Sequence, residues 1–534
     1  MSMLSFITTI YLCLLAGLGD SQVLTATLDY GTFQGAYDST YNISYWQKIP
    51  FAAPPVGQNR FRAPQPPLPI TNGVYNSSQT FDMCPQRTVN GSEDCLYLGL
   101  YSRPWKNDED EPLRPVIVTF YGGGFIQGSA SFTLPPSAYP ILNVSDASDM
   151  IFVYPNYRVN AFGFLPGREI ARDPYSDANA GLLDQDFALR WTRKYIARFG
   201  GDPDRITVWG QSAGGGSVLA QVIADHGGQE PLFRQALASS PFWPKTHRVD
   251  APEAQWRYDA LANMTGCAGA ESLACLKSAD VQTIRDASLA IAATHQYTTS
   301  SYEWGPVIDD VFLRTPLSAS TAFQEGNFVD GYGMYNTHEG ENFIPPGLKS
   351  SADSGTPPFN ASVASFEEWV AGYLPGFSAA EVQRLKGLYP EAGSAENIAA
   401  YNDSYTRAGL VFRDSTLACP ALWMAGSAKS GSWIGEYTIP PAQHASDVYW
   451  WNTVNSAQQQ DPLHYKGYAG AFASFFMTGD PNALKLTASN VSRVPDLKIG
   501  QEWVIDSAGF TSAKLVQLEE RCAFWKEVAP KIPI

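Results

Sequence analysis

The stretch VWGQSAGGGSVLA, residues 208–220, places a serine among small residues directly after an apolar segment. Gly210, Ser212 and Gly214 fit the pattern G-x-S-x-G, in which a serine lies on a sharp turn between a strand and a helix. The serine takes strained backbone angles there, and larger flanking side chains would clash. RITVWG (205–210) is typical of a buried strand. This context favours a nucleophile at Ser212 over a glycine-rich helix start without chemistry.

A second glycine-rich segment, YGGGFIQG (121–128), directly follows the apolar stretch PVIVTF (115–120). Consecutive glycines allow backbone N–H groups to turn toward a bound molecule, although such a segment alone could be an ordinary loop. A serine nucleophile needs donors for the negative charge that develops on the attacked oxygen. We therefore expect Gly123 and Gly124 to supply two donors, with the N–H of Ala213 as a third.

Strand and helix patterns alternate through the first half of the chain. MIFVY (150–154) is a second short apolar run typical of a strand buried on both faces. DQDFALRWTRKYIARFGG (184–201) has aromatic residues four apart and ends in two glycines, which predicts an amphipathic helix and its stop. This rhythm predicts a mostly parallel sheet covered by helices on both faces. SSADSGTPP (350–358) is predicted to be a surface loop.

The N-terminus predicts export from the cell. Residues 1–19 contain an apolar run that is too short to span a membrane and is followed by small residues, as in a secretory signal peptide. A buried N-terminal helix is the alternative. No other apolar segment reaches the length of a membrane span, so no integral membrane segment is expected. We expect residues 20–534 to form the mature, secreted chain.

Glycosylation signals and charge agree with a secreted protein. Eight N-x-[S/T] sequons are candidate N-linked glycan sites: Asn42, Asn76, Asn90, Asn143, Asn263, Asn360, Asn402 and Asn490. Of seven cysteines, Cys13 lies in the predicted signal, and the remaining six suggest disulfides, for which fifteen pairings exist. The net charge of −16 disfavours nucleic acid as a partner.

Several landmarks together resemble the type-B carboxylesterases of the α/β-hydrolase fold, a family that includes cholinesterases, secreted microbial lipases and non-catalytic neuroligins. They are IPFAAPPVGQNRFRAP (49–64), SEDCLYL (92–98), YGGGF (121–125), NYRVNAFGFL (156–165) and FGGDPDRITVWGQSAGG (199–215). The similarity is strongest over residues 25–245. Two departures are Gly99, where the family usually has Asn, and Gln211, where an acidic residue commonly precedes the serine. The resemblance implies one large α/β-hydrolase domain.

The resemblance also implies the partners of Ser212. Its acid is a glutamate followed by glycine, which matches Glu339 in YNTHEGENF (335–343). The histidine comes later in the chain, where only His444 and His464 remain. His444, in IPPAQHASDVYW, matches the family's catalytic position, whereas His464 is expected to pack or cap a helix. No motif such as H-E-x-x-H is present, so neither a metal nor another cofactor is expected.

The family pattern selects three disulfides: Cys84 with Cys95, Cys267 with Cys275, and Cys419 with Cys522. In lipases and cholinesterases of the family the first bridge closes a much longer loop over the active-site mouth. Here it encloses only PQRTVNGSED (85–94), which is short, polar and without tryptophan. The resemblance thus predicts a serine carboxylesterase without a lipase lid or a choline site, which acts on soluble or modest-sized esters through an acyl-enzyme.

Two other functions are compatible with the same landmarks. One is a lipase or sterol esterase that uses a different segment as its lid. The other is a neuroligin-like binding protein without activity, which is disfavoured because Ser212, Glu339 and His444 are all present.

Overall fold

The computed structural model describes residues 24–105, 111–227, 231–293, 300–320, 327–484, 486–487 and 493–532. The predicted signal peptide at 1–19 and the sequon at Asn490 lie outside these residues. The strands are β1 Thr25–Leu28, β2 Gly31–Gln34, β3 Ala36–Asp38, β4 Ile43–Pro50, β5 Val74–Asn76, β6 Tyr97–Ser102, β7 Arg114–Phe120, β8 Ile151–Pro155, β9 Gly201–Gln211, β10 Gln235–Ser239, β11 Asp330–Asn336, β12 Gly393–Ala395, β13 Ile398–Tyr401, β14 Ser432–Tyr437, β15 Gln501–Asp506 and β16 Gly509–Lys514.

Eleven strands of the described chain form one central sheet, in the order β16-β15-β14-β11-β10-β9-β7-β8-β6-β4-β3. The middle of the sheet, from β15 to β8, is parallel throughout. Antiparallel strands complete it at both edges. This arrangement confirms the predicted mostly parallel sheet and places the carboxyl ends of its central strands along one edge, where ligands bind in such folds.

Helices connect the strands and cover the sheet. They are α1 Tyr139–Leu142, α2 Asn160–Phe164, α3 Arg168–Arg172, α4 Ala180–Tyr195, α5 Ala213–Ile223, α6 Pro252–Met264, α7 Ser272–Ser278, α8 Val281–Ala292, α9 Val363–Tyr373, α10 Ala379–Leu388, α11 Ser404–Arg413, α12 Cys419–Gly426, α13 Val448–Trp451, α14 Ala457–Gln460, α15 Pro462–Thr478 and α16 Val516–Val528. The described chain also has short 3₁₀ turns, among them Ile196–Phe199 and Glu339–Phe343.

Alternate residues of the central strands pack into two different cores. On β7, Val116 and Val118 join one hydrophobic cluster, and Ile117 between them joins the other. On β9, Val208 joins the first cluster and Trp209 joins the second. Both faces of the sheet are therefore buried, which explains why these strands read as continuous apolar runs rather than as an alternating pattern.

The predicted amphipathic helix has the expected end but an earlier start. Helix α4 begins at Ala180, directly after Asn179, which takes a left-handed conformation with φ of 57°. A 3₁₀ turn follows the helix, and Gly200, with φ of +84°, ends it before β9. The predicted surface loop at 350–358 lies between Pro346–Lys349 and α9 and is exposed along its length.

Disulfides and glycan candidates have the distribution that suits an exported chain. Disulfide bonds join Cys84 to Cys95, Cys267 to Cys275, and Cys419 to Cys522. The last one ties α12 to the C-terminal helix α16. Of the seven described sequons, all except the half-buried Asn360 are exposed. Among the residues that the structure describes, no helix is both long and apolar enough to cross a bilayer.

Candidate active site

Three separate segments meet at the carboxyl edge of the sheet. Ser212 follows β9, Glu339 follows β11, and His444 lies in the loop after β14. These strands run parallel, with β10 between β9 and β11, so their ends reach the same edge. The topology thus brings together three residues that are far apart in the sequence.

Ser212 occupies the strained turn that the sequence predicts. Its backbone has φ of 60° and ψ of −127°, which few residues other than glycine adopt. Helix α5 starts at the next residue and passes close to β7. A Cβ at Gly214 would lie only 2.0 Å from the carbonyl oxygen of Phe120, so this position requires glycine. The turn lifts the Ser212 hydroxyl away from the helix backbone and toward the sheet edge.

A continuous hydrogen-bonded chain joins the three side chains. The Ser212 Oγ is 2.8 Å from Nε2 of His444, and the Nδ1 of His444 is 2.9 Å from Oε2 of Glu339. With its proton on Nδ1, the imidazole donates to Glu339 and accepts from the serine hydroxyl. The other Glu339 oxygen accepts the backbone N–H of Asn336 at 3.1 Å. Glu339 is fully buried, so its carboxylate is held in one orientation.

Neighbouring groups fix the loop that carries the histidine. The backbone N–H of His444 donates to Oδ1 of Asn342 at 2.9 Å, and the Asn336 side chain donates to the carbonyl of Gln443 at 2.7 Å. Phe343 contacts the imidazole edge-on, with ring centroids 4.9 Å apart. No separate sequence signal marks Asn336, Asn342 and Phe343, although all three lie within the quoted segment around Glu339.

A second glutamate close to Glu339 and the other downstream histidine lie in different environments. Glu341 accepts from Nδ1 of His338 at 2.9 Å. His464 stands at the start of α15, where its Nδ1 is 2.6 Å from Asp461 and its Nε2 is 2.7 Å from the carbonyl oxygen of Asp506. His464 therefore joins the helix start to the end of β15, as a packing residue would.

The glycine-rich loop lies directly against the serine turn. A Cβ at Gly122 would be 3.0 Å from the Cβ of Ser212. Gly123 has φ of +117°, and a Cβ there would be 2.4 Å from the carbonyl oxygen of Gln127, because the loop folds back on itself. At its start, Tyr121 stacks on Tyr157 with ring centroids 4.0 Å apart. The glycine-rich loop thus lies beside Ser212 in a conformation that only glycine adopts without strain at residue 123.

The short disulfide loop at 85–94 holds the far end of the glycine-rich loop. The Gln86 side chain donates to the carbonyl of Gly128 and accepts the N–H of the same residue, both at 2.8 Å. Gln86 is 1% exposed. Its two side-chain hydrogen bonds to the backbone of Gly128 resemble those that a neighbouring strand would make. Arg60 and Glu93 form a buried ion pair at 2.6 Å within the same region. The sequence offered no signal for the Gln86 contact, which depends on a fold neighbour about forty residues away.

Two cavities flank this arrangement. The larger, of about 520 Å³, is lined by Phe242, Tyr302 and Phe412 on the side of the triad. The smaller, of about 200 Å³, includes Gly122 and Gln211 in its wall. Both volumes are large enough to hold part of a small organic molecule.

A nucleophile turn on a parallel sheet, with a histidine and a buried acid at neighbouring strand ends, defines an α/β-hydrolase. A family model described as "Carboxylesterase family" matches residues 20–520, so the chain belongs to this family. Carboxylesterase patB of Penicillium expansum is 25% identical, over 92% of this chain and 93% of the relative. Secreted lipase 1 of Botryotinia fuckeliana is 34% identical, over 53% of this chain and 54% of that protein.

Solved structures give the same result. Aspergillus niger EstA superposes with a TM-score of 0.79 and 26% identity, covering 96% of this chain and 99% of that one. Family membership over nearly the whole length, together with esterase relatives, makes this chain a carboxylic ester hydrolase.

Proposed function

We propose that the protein is a secreted serine esterase that cleaves soluble or modest-sized esters through an acyl-enzyme formed on Ser212. The hydrogen-bonded chain from Ser212 through His444 to Glu339 is the observation that carries this proposal. Its distances allow proton transfer in both directions between serine and imidazole.

The reaction follows from this geometry. The Oγ of Ser212 attacks the ester carbonyl while Nε2 of His444 takes the hydroxyl proton. The N–H groups of Gly123, Gly124 and Ala213 stabilise the resulting oxyanion. His444 then passes its proton to the leaving alcohol, and an acyl-serine remains. Water, deprotonated by His444, then attacks the acyl-serine. The acyl–Oγ bond breaks, His444 returns the proton to Oγ of Ser212, and the acid leaves. Glu339 orients the imidazole and stabilises its cation throughout.

The short disulfide loop supports a preference for soluble esters. Its ten residues are polar and are held to the protein body through Gln86 and the Arg60–Glu93 ion pair. A segment bonded in this way is not free to swing aside at an oil surface, and it has no apolar underside to bind one.

A lipase is the second candidate, because secreted lipases stand among the relatives. The two functions differ when substrate passes its solubility limit. For a short-chain triglyceride we expect simple saturation without a jump at this limit, and poor activity on long-chain emulsions. A sharp increase at the limit would favour a lipase with another segment as its lid.

Export is supported by three disulfides and by exposed sequons, as well as by the predicted signal peptide. We therefore place the mature chain outside the cell, with N-linked glycans. Mass spectrometry of the protein from its native culture medium, before and after glycosidase treatment, tests both statements.

Ser212→Ala tests the catalytic assignment. We expect the variant to fold and to lose ethyl butyrate hydrolysis, whereas a serine-directed organophosphate should label the wild-type chain once, at Ser212. His444→Ala should lower kcat by about 10⁴-fold or more. His464→Ala, which changes a packing histidine, is the matched control and should retain activity. Full activity in Ser212→Ala would refute the mechanism, and a wild-type chain inert toward all esters would favour a binding protein.

A further inference from the structure

The larger cavity lies one layer of aromatic rings away from the catalytic imidazole. Phe343, which contacts His444, also packs against Phe242, Tyr302 and Phe412 in the cavity wall, with ring centroids 5.8, 6.2 and 5.1 Å away. The backbone N–H of Phe242 donates to the carbonyl of Ser212 at 2.8 Å. Phe343 alone therefore separates the imidazole from the rings of the cavity wall, so the cavity adjoins the triad.

The opposite wall of the cavity is charged, and most of its charges are paired. Arg257 is buried and lies 3.3 Å from the carboxylate of Glu303. Burial and the neighbouring Arg257 lower the pKa of His247 to about 4, so this ring is neutral near pH 7. Glu253, 3.9 Å from His247, has a side chain that is 58% exposed and stands at the rim. Arg257 and Glu303 cancel each other and His247 is neutral, so these three residues leave the inner wall without net charge.

Lys245 is the remaining charged residue of the wall. Among the described residues, no carboxylate lies within 4.0 Å of its ammonium group. The Nζ donates to the carbonyl of Tyr373 and lies 4.5 Å from the centre of that ring. An ammonium group has three donors, so two are left to face a ligand.

The half-buried position of Lys245 makes its charge costly in the empty cavity. Burial lowers the pKa of Lys245 to about 8, and the negative charge of Glu303 opposes this effect. The side chain therefore stays mostly protonated at pH 7, although water solvates it poorly. An anion brought into the cavity would replace the missing solvation and gain a strong, charge-assisted hydrogen bond.

We propose that the cavity holds a carboxylate-bearing arm of the ester substrate, with the carboxylate bound to the ammonium group of Lys245. This assignment rests on the proposed hydrolysis at Ser212 and adds a substrate class, the esters that carry a second, free acid group. An amide of the same size would not neutralise the lysine charge, so the cavity should distinguish the two.

Two substrate series test this proposal. The first consists of monoethyl esters of dicarboxylic acids from succinate to sebacate, each paired with the ester in which an amide replaces the free acid. The second consists of acetyl esters of ω-hydroxy acids, each paired with the acetyl ester of the corresponding ω-hydroxy amide. We expect kcat/KM to favour the acid over the amide by about tenfold at the best chain length. The series in which this preference occurs identifies the arm that enters the cavity.

Variants then locate the preference. Lys245→Met should reduce the acid-to-amide ratio to about one, mainly through KM, while ethyl butyrate hydrolysis changes less than about twofold. Lys245→Arg should retain part of the preference. Arg248→Met is the matched control, since Arg248 is exposed and pairs with Asp310, and it should keep the full ratio.

The outcomes separate this proposal from the proposed function. Hydrolysis of ethyl butyrate without a preference for acids in either series would overturn the assignment to Lys245 and leave the esterase function intact. An undiminished preference in Lys245→Met would also overturn it. A wild-type chain that hydrolyses no ester would overturn both proposals. Because ethyl butyrate is measured with every variant, a misfolded variant is recognised directly.

Discussion

The side-chain amide of Gln211 lies 3.5 Å from Nε2 of His444, the same nitrogen that the Ser212 hydroxyl contacts. Many members of the family have an acidic residue at this position. Here the imidazole has an uncharged neighbour on the side that faces the serine, and its only carboxylate partner within 4.0 Å among the described residues is Glu339.

Gln211→Glu should move the acid limb of the pH–kcat/KM profile to higher pH by about one unit. A carboxylate at this distance stabilises the imidazolium, and the reaction needs the neutral imidazole as base, so the active form should emerge only at higher pH. The profile for a neutral ester such as ethyl butyrate measures this shift. Gln211→Met, which adds no charge, should leave the limb in place, and an equal shift in both variants would contradict the electrostatic explanation.

Glu339→Gln should lower kcat by about 10³–10⁴-fold, because a neutral amide cannot stabilise the imidazolium and favours the wrong tautomer. Glu341→Gln is the matched control, since Glu341 is two residues away and pairs with His338 instead. Single-turnover kinetics with a chromogenic ester measure both effects. A large loss in Glu341→Gln with a small loss in Glu339→Gln would reverse the assignment.

Gln86→Leu should lower kcat by about ten- to a hundredfold while KM changes less, because the glycine-rich loop would lose both hydrogen bonds at Gly128. Gln86→Glu keeps the acceptor and should recover part of the loss. Arg87→Met is the control, since the exposed side chain of Arg87 donates to the Gln127 side chain and not to the backbone of the glycine-rich loop. If all three variants lost kcat to the same extent and also had lower melting temperatures, the cause would be a general loss of stability.

The buried carboxyl group of Glu436, behind the site, should make the free energy of unfolding decrease as pH rises. Burial raises the pKa of Glu436 to about 7; Arg413 opposes this shift, and Glu396 adds to it. The folded state thus binds this proton more tightly than the unfolded state, in which the pKa of the Glu436 carboxyl is 4.5. The stabilisation is complete below about pH 4.5 and is lost as pH rises through about 7, by roughly 3 kcal/mol in total.

Thermal unfolding between pH 5 and 8 measures this effect, and Glu436→Gln should flatten the decline because its amide does not titrate. The hydroxyl of Thr337 donates to Glu436 at 2.7 Å, and Thr337 is two residues from Glu339. Protonation of Glu436 should therefore also affect the position of Glu339. A decline of the same slope in Glu436→Gln would assign the effect to other groups.

The sequence predicts those parts of the site that short motifs encode. The turn at Ser212 and the glycines at 123 and 124 depend on neighbours in the chain, so the pattern around them suffices. Glu339 and His444 could be selected only through the family resemblance, because an isolated acid or histidine in a polar loop has no local signature. Gln86 and Lys245 act through contacts between distant segments, and no pattern in one sequence encodes these contacts. Helix α4 starts earlier than predicted, directly after Asn179 in a left-handed conformation, and no pattern in the sequence indicated this start.

The exposed loop at 350–358 has a practical consequence, because it divides the triad. Ser212 and Glu339 lie before it and His444 lies after it, so a cut there produces two fragments of which neither holds a complete set of reacting groups. Since the parallel pairing of β11 with β14 joins the two parts, fusing each fragment to one of two interacting proteins would make ester cleavage depend on their encounter. The chain could serve as a split reporter whose signal is enzymatic and therefore amplified.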